Sequence, residues 1–113
     1  MVIVNVAAVF NLLVVIKFKD QNAVDKFILH FAPLSKFVKE HEPNTTMYQL
    51  SKSDKEDVAF TYHLIERYKN KEEDYLKTHK SSEAFQKFRA ILQEMMDNDE
   101  VTVAGESFVD VDI

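Results

Sequence analysis

The chain has 113 residues, no cysteine, one glycine and a formal net charge of −5. That length makes one domain able to bury about two-thirds of its unfolded surface, and the missing thiols exclude disulfides, thiolate nucleophiles and cysteine-ligated zinc or iron–sulfur centres, as fits a cytoplasmic protein. Lys and Arg scattered through a net negative chain repel a phosphate backbone, so nucleic acid is not an expected partner, and a single glycine rules out G-x-G-x-x-G and P-loop motifs.

Met1 to Ile16 is nearly continuous apolar sequence, interrupted at Asn5 and Asn11. It lacks a basic start and falls short of the roughly 18–20 apolar residues of a membrane span, so it reads as strand and no membrane partner is expected. Residues 1–10 are expected to form an extension or extra strand, with Asn5 or Asn11 marking the break before a domain over 11–113. After Asp20, an N-cap residue type, Val24, Phe27, Ile28, Phe31, Leu34 and Val38 recur at helical spacing to about Glu40. Pro33 is expected to bend this helix, and Pro43 lies beyond its end. Thr45 to Leu50 alternates as a strand, Ser51 to Asp57 is a charged turn, and Val58 to Tyr68 completes a hairpin. A short helix near Glu72 to Thr78 precedes a longer one from Ser82 to Met96, with Phe85, Phe88, Leu92 and Met95 on one face. Val101 to Ile113 closes the chain as a strand, with Gly105 at an expected bulge.

This β-α-β-β-α-β order predicts an α+β, ferredoxin-like fold: a four-stranded antiparallel sheet with its helices on one face. Tyr62 and Leu64 alternate with His63 and Ile65, so both sheet faces carry apolar side chains. Helices cover only one face, which predicts a homodimer joined through the other. The last strand is expected to extend over the partner.

The stretches EHEPNTTMYQL (Glu40 to Leu50), VAFTYHLIERY (Val58 to Tyr68) and HKSSEAFQKF (His79 to Phe88) resemble the antibiotic biosynthesis monooxygenase family of dimeric α/β barrels. Glu42, Pro43, Glu66, Arg67, Tyr68, His79, Ser82, Phe85 and Phe88 match its motifs, Pro33-Leu34 matches a frequent pair, and Asn44 and Ala84 depart from it. The resemblance implies oxygenase chemistry without metal, flavin or haem on a small electron-rich aromatic such as a phenol or hydroquinone. The same fold also houses non-catalytic ligand-binding or stress-associated dimers, haem degraders and isomerases of small signals.

Within that frame His79 is the expected base, because an unperturbed imidazole titrates near neutrality, and Tyr68 is its expected partner at the rim of a cavity. Phe85 and Phe88 are expected to floor that cavity and Leu64 and Phe27 to wall it, with Tyr62, Glu66 and His30 as further substrate contacts. A helix-start position is seldom core, so replacing His79 is expected to cost little stability. Adjacent Glu66 and Arg67 face opposite sides of a regular strand. Asn11, with Tyr68, carries the haem alternative. The four histidines show no compact ligand spacing, so no metal is expected. Glu72, Glu73 and Asp74 read as a solvated helix face.

Overall fold

The computed structural model describes residues 8–113; of the extension or extra strand expected over residues 1–10, the first seven lie outside them and Phe10 is the first residue of the strand that follows. The elements are β1 (Phe10–Phe18), α1 (Gln21–His41), β2 (Thr45–Lys52), β3 (Thr61–Tyr68), a π-helical segment (Lys71–His79), α2 (Glu83–Asp97) and β4 (Val101–Val109). The strands form one antiparallel sheet in the order β2-β3-β1-β4, the split β-α-β-β-α-β arrangement that the sequence predicts. No helix among the described residues is long and apolar enough to cross a membrane.

Each helix begins where a side chain satisfies an otherwise orphaned backbone donor. Asp20 Oδ1 accepts from the Ala23 N–H at 3.0 Å, and Ser82 Oγ from the Phe85 N–H at 3.1 Å. Pro33 lies inside α1 without ending it. Ala23, Val24, Phe27, Phe31, Leu34 and Val38 form the buried side of α1, whereas Ile28, expected on that stripe, is exposed. Phe88 and Met95 are the buried residues of α2. Between helices and sheet runs a chain of aromatic contacts: Phe18 to Phe27, Phe27 to Phe31 and Phe88, and Phe31 to Tyr48, with centroids 5.1–5.6 Å apart. Edge-to-face and offset pairs of this kind add to the stabilisation from burial alone.

Three boundaries differ from the expectation. β3 starts at Thr61 because Glu56–Val58 forms a 3₁₀ turn, and the Ser53 N–H donates to Thr61 O at 2.9 Å across the hairpin mouth. The bulge sits between Thr45 and Met47 of β2. At Gly105 the β1–β4 register runs unbroken, and an added Cβ would meet only Leu12 Cδ1 at 4.0 Å, so nothing there demands glycine. β4 also stops at Val109 and pairs residue for residue with β1, from Val101 with Phe18 to Val109 with Phe10. β4 is therefore no longer than the β1 it pairs with, whereas the expected reach over a partner rested on a longer strand.

Strand alternation then divides the side chains. Tyr62, Leu64, Glu66 and Tyr68 of β3 face the helices, while His63, Ile65 and Arg67 face away, paired in register with Val15, Leu13 and Asn11 of β1. Arg67 closes the far end of that outer face: its guanidinium donates to Asp110 Oδ1 at 3.0 Å and to Asn11 Oδ1 at 2.9 Å. Burial is not what shifts these groups; the shared hydrogen bonds hold Asp110 below and Arg67 above their ordinary values.

Candidate functional site

Tyr68 and Glu66 stand two residues apart on β3 and therefore on one face. The Tyr68 hydroxyl donates to Glu66 Oε1 at 2.5 Å inside the protein. From the strand exit the chain enters the π-helical segment, capped by Asn70 Oδ1, which accepts from the Glu73 N–H at 2.8 Å. The wider turn is marked by i→i+5 bonds, Tyr75 N–H to Asn70 O at 3.3 Å and Lys80 N–H to Tyr75 O at 2.9 Å. Such turns recur at functional sites. Here the segment buries Asp74 and His79.

His79 stands between two glutamates. Its Nδ1 lies 3.1 Å from both oxygens of Glu42, the residue that follows α1. Thr45 Oγ1 also donates to Glu42 Oε1, at 3.0 Å. On the other side Nε2 lies 3.8 Å from Glu66 Oε1, beyond hydrogen-bond range, and is the one buried side-chain polar atom among the described residues without a partner. Four rings surround the imidazole: Phe85 at 4.9 Å, Tyr48 at 5.2 Å, Tyr68 at 5.5 Å and Tyr75 at 6.2 Å between centroids. Glu42, Tyr48, Glu66, Tyr68 and His79 are all buried.

Burial sets the electrostatics. It pushes the Glu66 carboxyl up, against the Tyr68 hydrogen bond and the neighbouring His79, while Glu42 adds to the rise. Burial also raises Tyr68 and Tyr48, and the acidic Glu66 and Glu42 raise them further, so both remain phenols at neutral pH. Tyr75 is raised by burial and by Glu66, with Arg89 opposing. Because folding raises the Glu66 value, the folded state binds the proton more tightly than the unfolded chain. The stabilisation this provides is complete below the ordinary carboxyl value of 4.5 and is lost as pH rises through the higher folded value. Glu66→Gln keeps an acceptor for Tyr68 and removes the titration. Urea midpoints measured from pH 4 to 8 should therefore fall less steeply with rising pH in the variant than in the wild type; parallel curves would mean that Glu66 titrates as in the unfolded chain.

Tyr68 and His79 thus come together, but in the interior and not at a rim: each is 0% exposed. The premise behind the expectation that His79 is expendable for stability, a solvent-facing helix start, does not hold here. Phe85 packs on His79, whereas Phe88 packs on Phe27 and Phe31. Phe27 and Leu64 belong to the core, and Tyr62 packs edge-on against Phe18. A cavity of about 430 Å³ lies instead between α1 and α2, lined by His30, Pro33, Leu34, Phe37, Phe88 and Ile91 among others. His30 and Phe88 are its members from the predicted set, and Ala84, beside Phe85, also lines it. Asn11 sits on the opposite face of the sheet from Tyr68, bonded to Arg67 and Asp110, so the residues that carried the haem alternative do not converge.

Sequence reasoning did not single out Glu42, Asp74 or Tyr48 as parts of the site. A glutamate before proline in a charged turn reads as solvated, and its only signal was its place in the family-like motif. Asp74 departs from the solvated face expected for it: buried, it accepts from Asn44 Nδ2 at 3.1 Å. Among the described residues no group of three or more His, Cys, Asp or Glu is arranged to hold a metal ion.

A protein from Caulobacter crescentus CB15, named as a candidate antibiotic biosynthesis monooxygenase, superposes with a TM-score of 0.76 at 23% identity, over 95% of this chain and 93% of that one. The chain has its fold. One from Nitrosomonas europaea with the same designation gives 0.72 at 15% identity, over 93% and 92% of the two chains. A Bacteroides thetaiotaomicron protein, also so named, gives 0.68 at 13% identity, over 94% and 90%. No protein-family model matches the sequence, and no curated protein matches it. The fold of these candidate monooxygenases is therefore shared across nearly the whole chain, at sequence identities where side-chain roles must be argued from this chain's own geometry.

Proposed function

We propose that the protein is a cofactor-independent monooxygenase acting on a small electron-rich phenol or hydroquinone. The observation that carries this reading is the gathering of His79, Glu42, Glu66 and Tyr68 in one buried enclosure lined by aromatic rings. Oxygenation without a cofactor needs a base to make the electron-rich anion, and an apolar surround to keep the reactive intermediate from water. For a phenol with a free para carbon the balance closes without an added reductant. One atom of O₂ becomes the new carbonyl oxygen, and the other leaves as water with the phenolic proton and the displaced ring hydrogen, giving the quinone. The Glu66–His79 pair is the proton acceptor and Tyr68 its link, and Phe85 joins the enclosure to the helix that lines the α1–α2 cavity.

Oxygen uptake with a panel of hydroquinones and anthrones tests this directly. The expected result is substrate-dependent uptake matched by quinone formation in metal-free buffer. Binding without uptake across the panel would favour the alternative of a non-catalytic ligand-binding protein, which draws support from the separation of the cavity from the buried His79.

The same reading includes a homodimer. Leu13, Val15, Ile65, Met47 and Phe108 alternate onto the sheet face opposite the helices, and Met47 and Phe108 are well exposed. Water leaves such a surface favourably when a second copy covers it. Light scattering at micromolar concentration should report a dimer, with total burial above roughly 1,200 Å² once its interface is mapped; a monomer would overturn this part.

A further inference from the structure

We infer that Glu42 is a positioning residue that fixes His79 with its proton on Nδ1, leaving the Nε2 lone pair aimed at the Glu66 oxygen that holds the Tyr68 hydroxyl. This rests on the oxygenase reading for its chemical purpose, but the proton's location follows from the geometry alone. A carboxylate oxygen is an acceptor, and both Glu42 oxygens stand 3.1 Å from Nδ1, so that nitrogen must donate. A lone pair there would face two others across the same gap.

Nε2 decides between the remaining forms. If Nε2 carried the hydrogen of the neutral ring, that N–H would be a fully buried donor without a partner, the Glu66 oxygen standing 3.8 Å away. An unsatisfied buried donor costs about 1–3 kcal/mol. A bare lone pair strands no donor, and it faces a carboxyl group that burial disposes to hold its proton. The other groups around the ring do not change this assignment. Tyr48 of β2, Tyr75 of the π-helical segment and Phe85 of α2 offer ring faces or edges at these distances, and the hydroxyl of Tyr68 on β3 is already given to Glu66. Nε2 consequently marks the one gap in a chain that runs Tyr68, Glu66, His79, Glu42. An approach of about 1 Å lets it accept a hydrogen bond from the protonated Glu66 carboxyl. The backing carboxylate orients the ring and holds the tautomer, as in other His-dependent sites.

Nitrogen-15 spectra of the histidine-labelled full-length protein at pH 7.5, assigned by comparison with His79→Asn, read the tautomer without reference to turnover. The expected result is a protonated Nδ1 and a pyridine-type Nε2 for His79. A protonated Nε2 in the wild type would overturn the inference whether or not oxygen is consumed. Glu42→Gln, whose amide is able to donate as well as accept, should mix the tautomers, and Glu42→Asp should restore the single form in part. If substrate turnover is found, Glu42→Gln should lower kcat by about 10² or more with little change in KM. An unmixed tautomer in folded Glu42→Gln, or unchanged kcat, would assign Glu42 to packing alone. Correct tautomers with no turnover on any substrate would uphold the positioning and remove the oxygenase reading.

Discussion

His79→Ala is expected to lower stability by about 3–5 kcal/mol and, where enough protein remains folded to assay, to lower kcat by about 10² or more. The stability loss arises because the imidazole is the partner of a buried carboxyl group and has no route to water. Removing one member of such a pair strands the other: among the described residues Glu42 keeps the Thr45 hydroxyl as its one side-chain donor. It also vacates the space between Tyr48, Tyr68, Tyr75 and Phe85, and a partly collapsed cavity adds to the cost. Against a total of about 5–15 kcal/mol for a domain, this is a large fraction. His79→Asn separates the two effects, since its amide N–H₂ can occupy the place of Nδ1 and donate to Glu42 while offering no base at Nε2. Thermal melts should show Asn recovering much of the loss suffered by Ala, and oxygen uptake should show both variants equally depressed. An unchanged melting temperature in His79→Ala would mean that the buried pair does not form.

How much of this was legible in the sequence follows from what each signal measures. Hydrophobic period reports which residues of an element share a face, and it located the sheet and both helices and grouped Tyr62, Leu64 and Glu66, but it left open which face of β3 meets the helices. It does not report how far below the surface a polar residue lies. His79 and Glu42 are far apart in sequence, and nothing local distinguishes a histidine at a helix end in water from one locked between two glutamates. The π-helical turn is equally silent, because its i→i+5 bonding shifts inward-facing residues away from the 3.6-residue period on which a helical reading depends. Asp74, counted with Glu72 and Glu73 as solvated, is the direct casualty. Gly105 shows the opposite error. A lone glycine in a strand signals a bulge only when backbone geometry requires it, and here the ladder continues through it unstrained.

Phe27→Ala should cost about 3–5 kcal/mol, the usual loss for a fully buried phenylalanine, and it decides between core and cavity wall. The ring is 1% exposed. It meets Phe18 of β1 edge-on at 5.1 Å, stacks on Phe31 of its own helix at 5.3 Å and meets Phe88 of α2 edge-on at 5.4 Å. One side chain therefore ties the sheet to both helices, and each aromatic pair adds about 0.5–1.5 kcal/mol beyond area burial. At about 4–8 °C per kcal/mol for a domain near this size, the melting temperature should fall by well over 10 °C. Phe27→Leu keeps part of the volume and should cost about 1–2 kcal/mol. The consequence for function runs through Phe88, which leans on Phe27 and also lines the α1–α2 cavity. With the support gone, ligand affinity at that cavity should weaken in Phe27→Ala even at temperatures where the variant is folded. A wall residue facing an open pocket would behave in the reverse way, with a melting temperature within about 3 °C of wild type and an altered ligand preference. That pair of results would restore the pocket first read from the helix periodicity and displace the packed core assigned to Phe27.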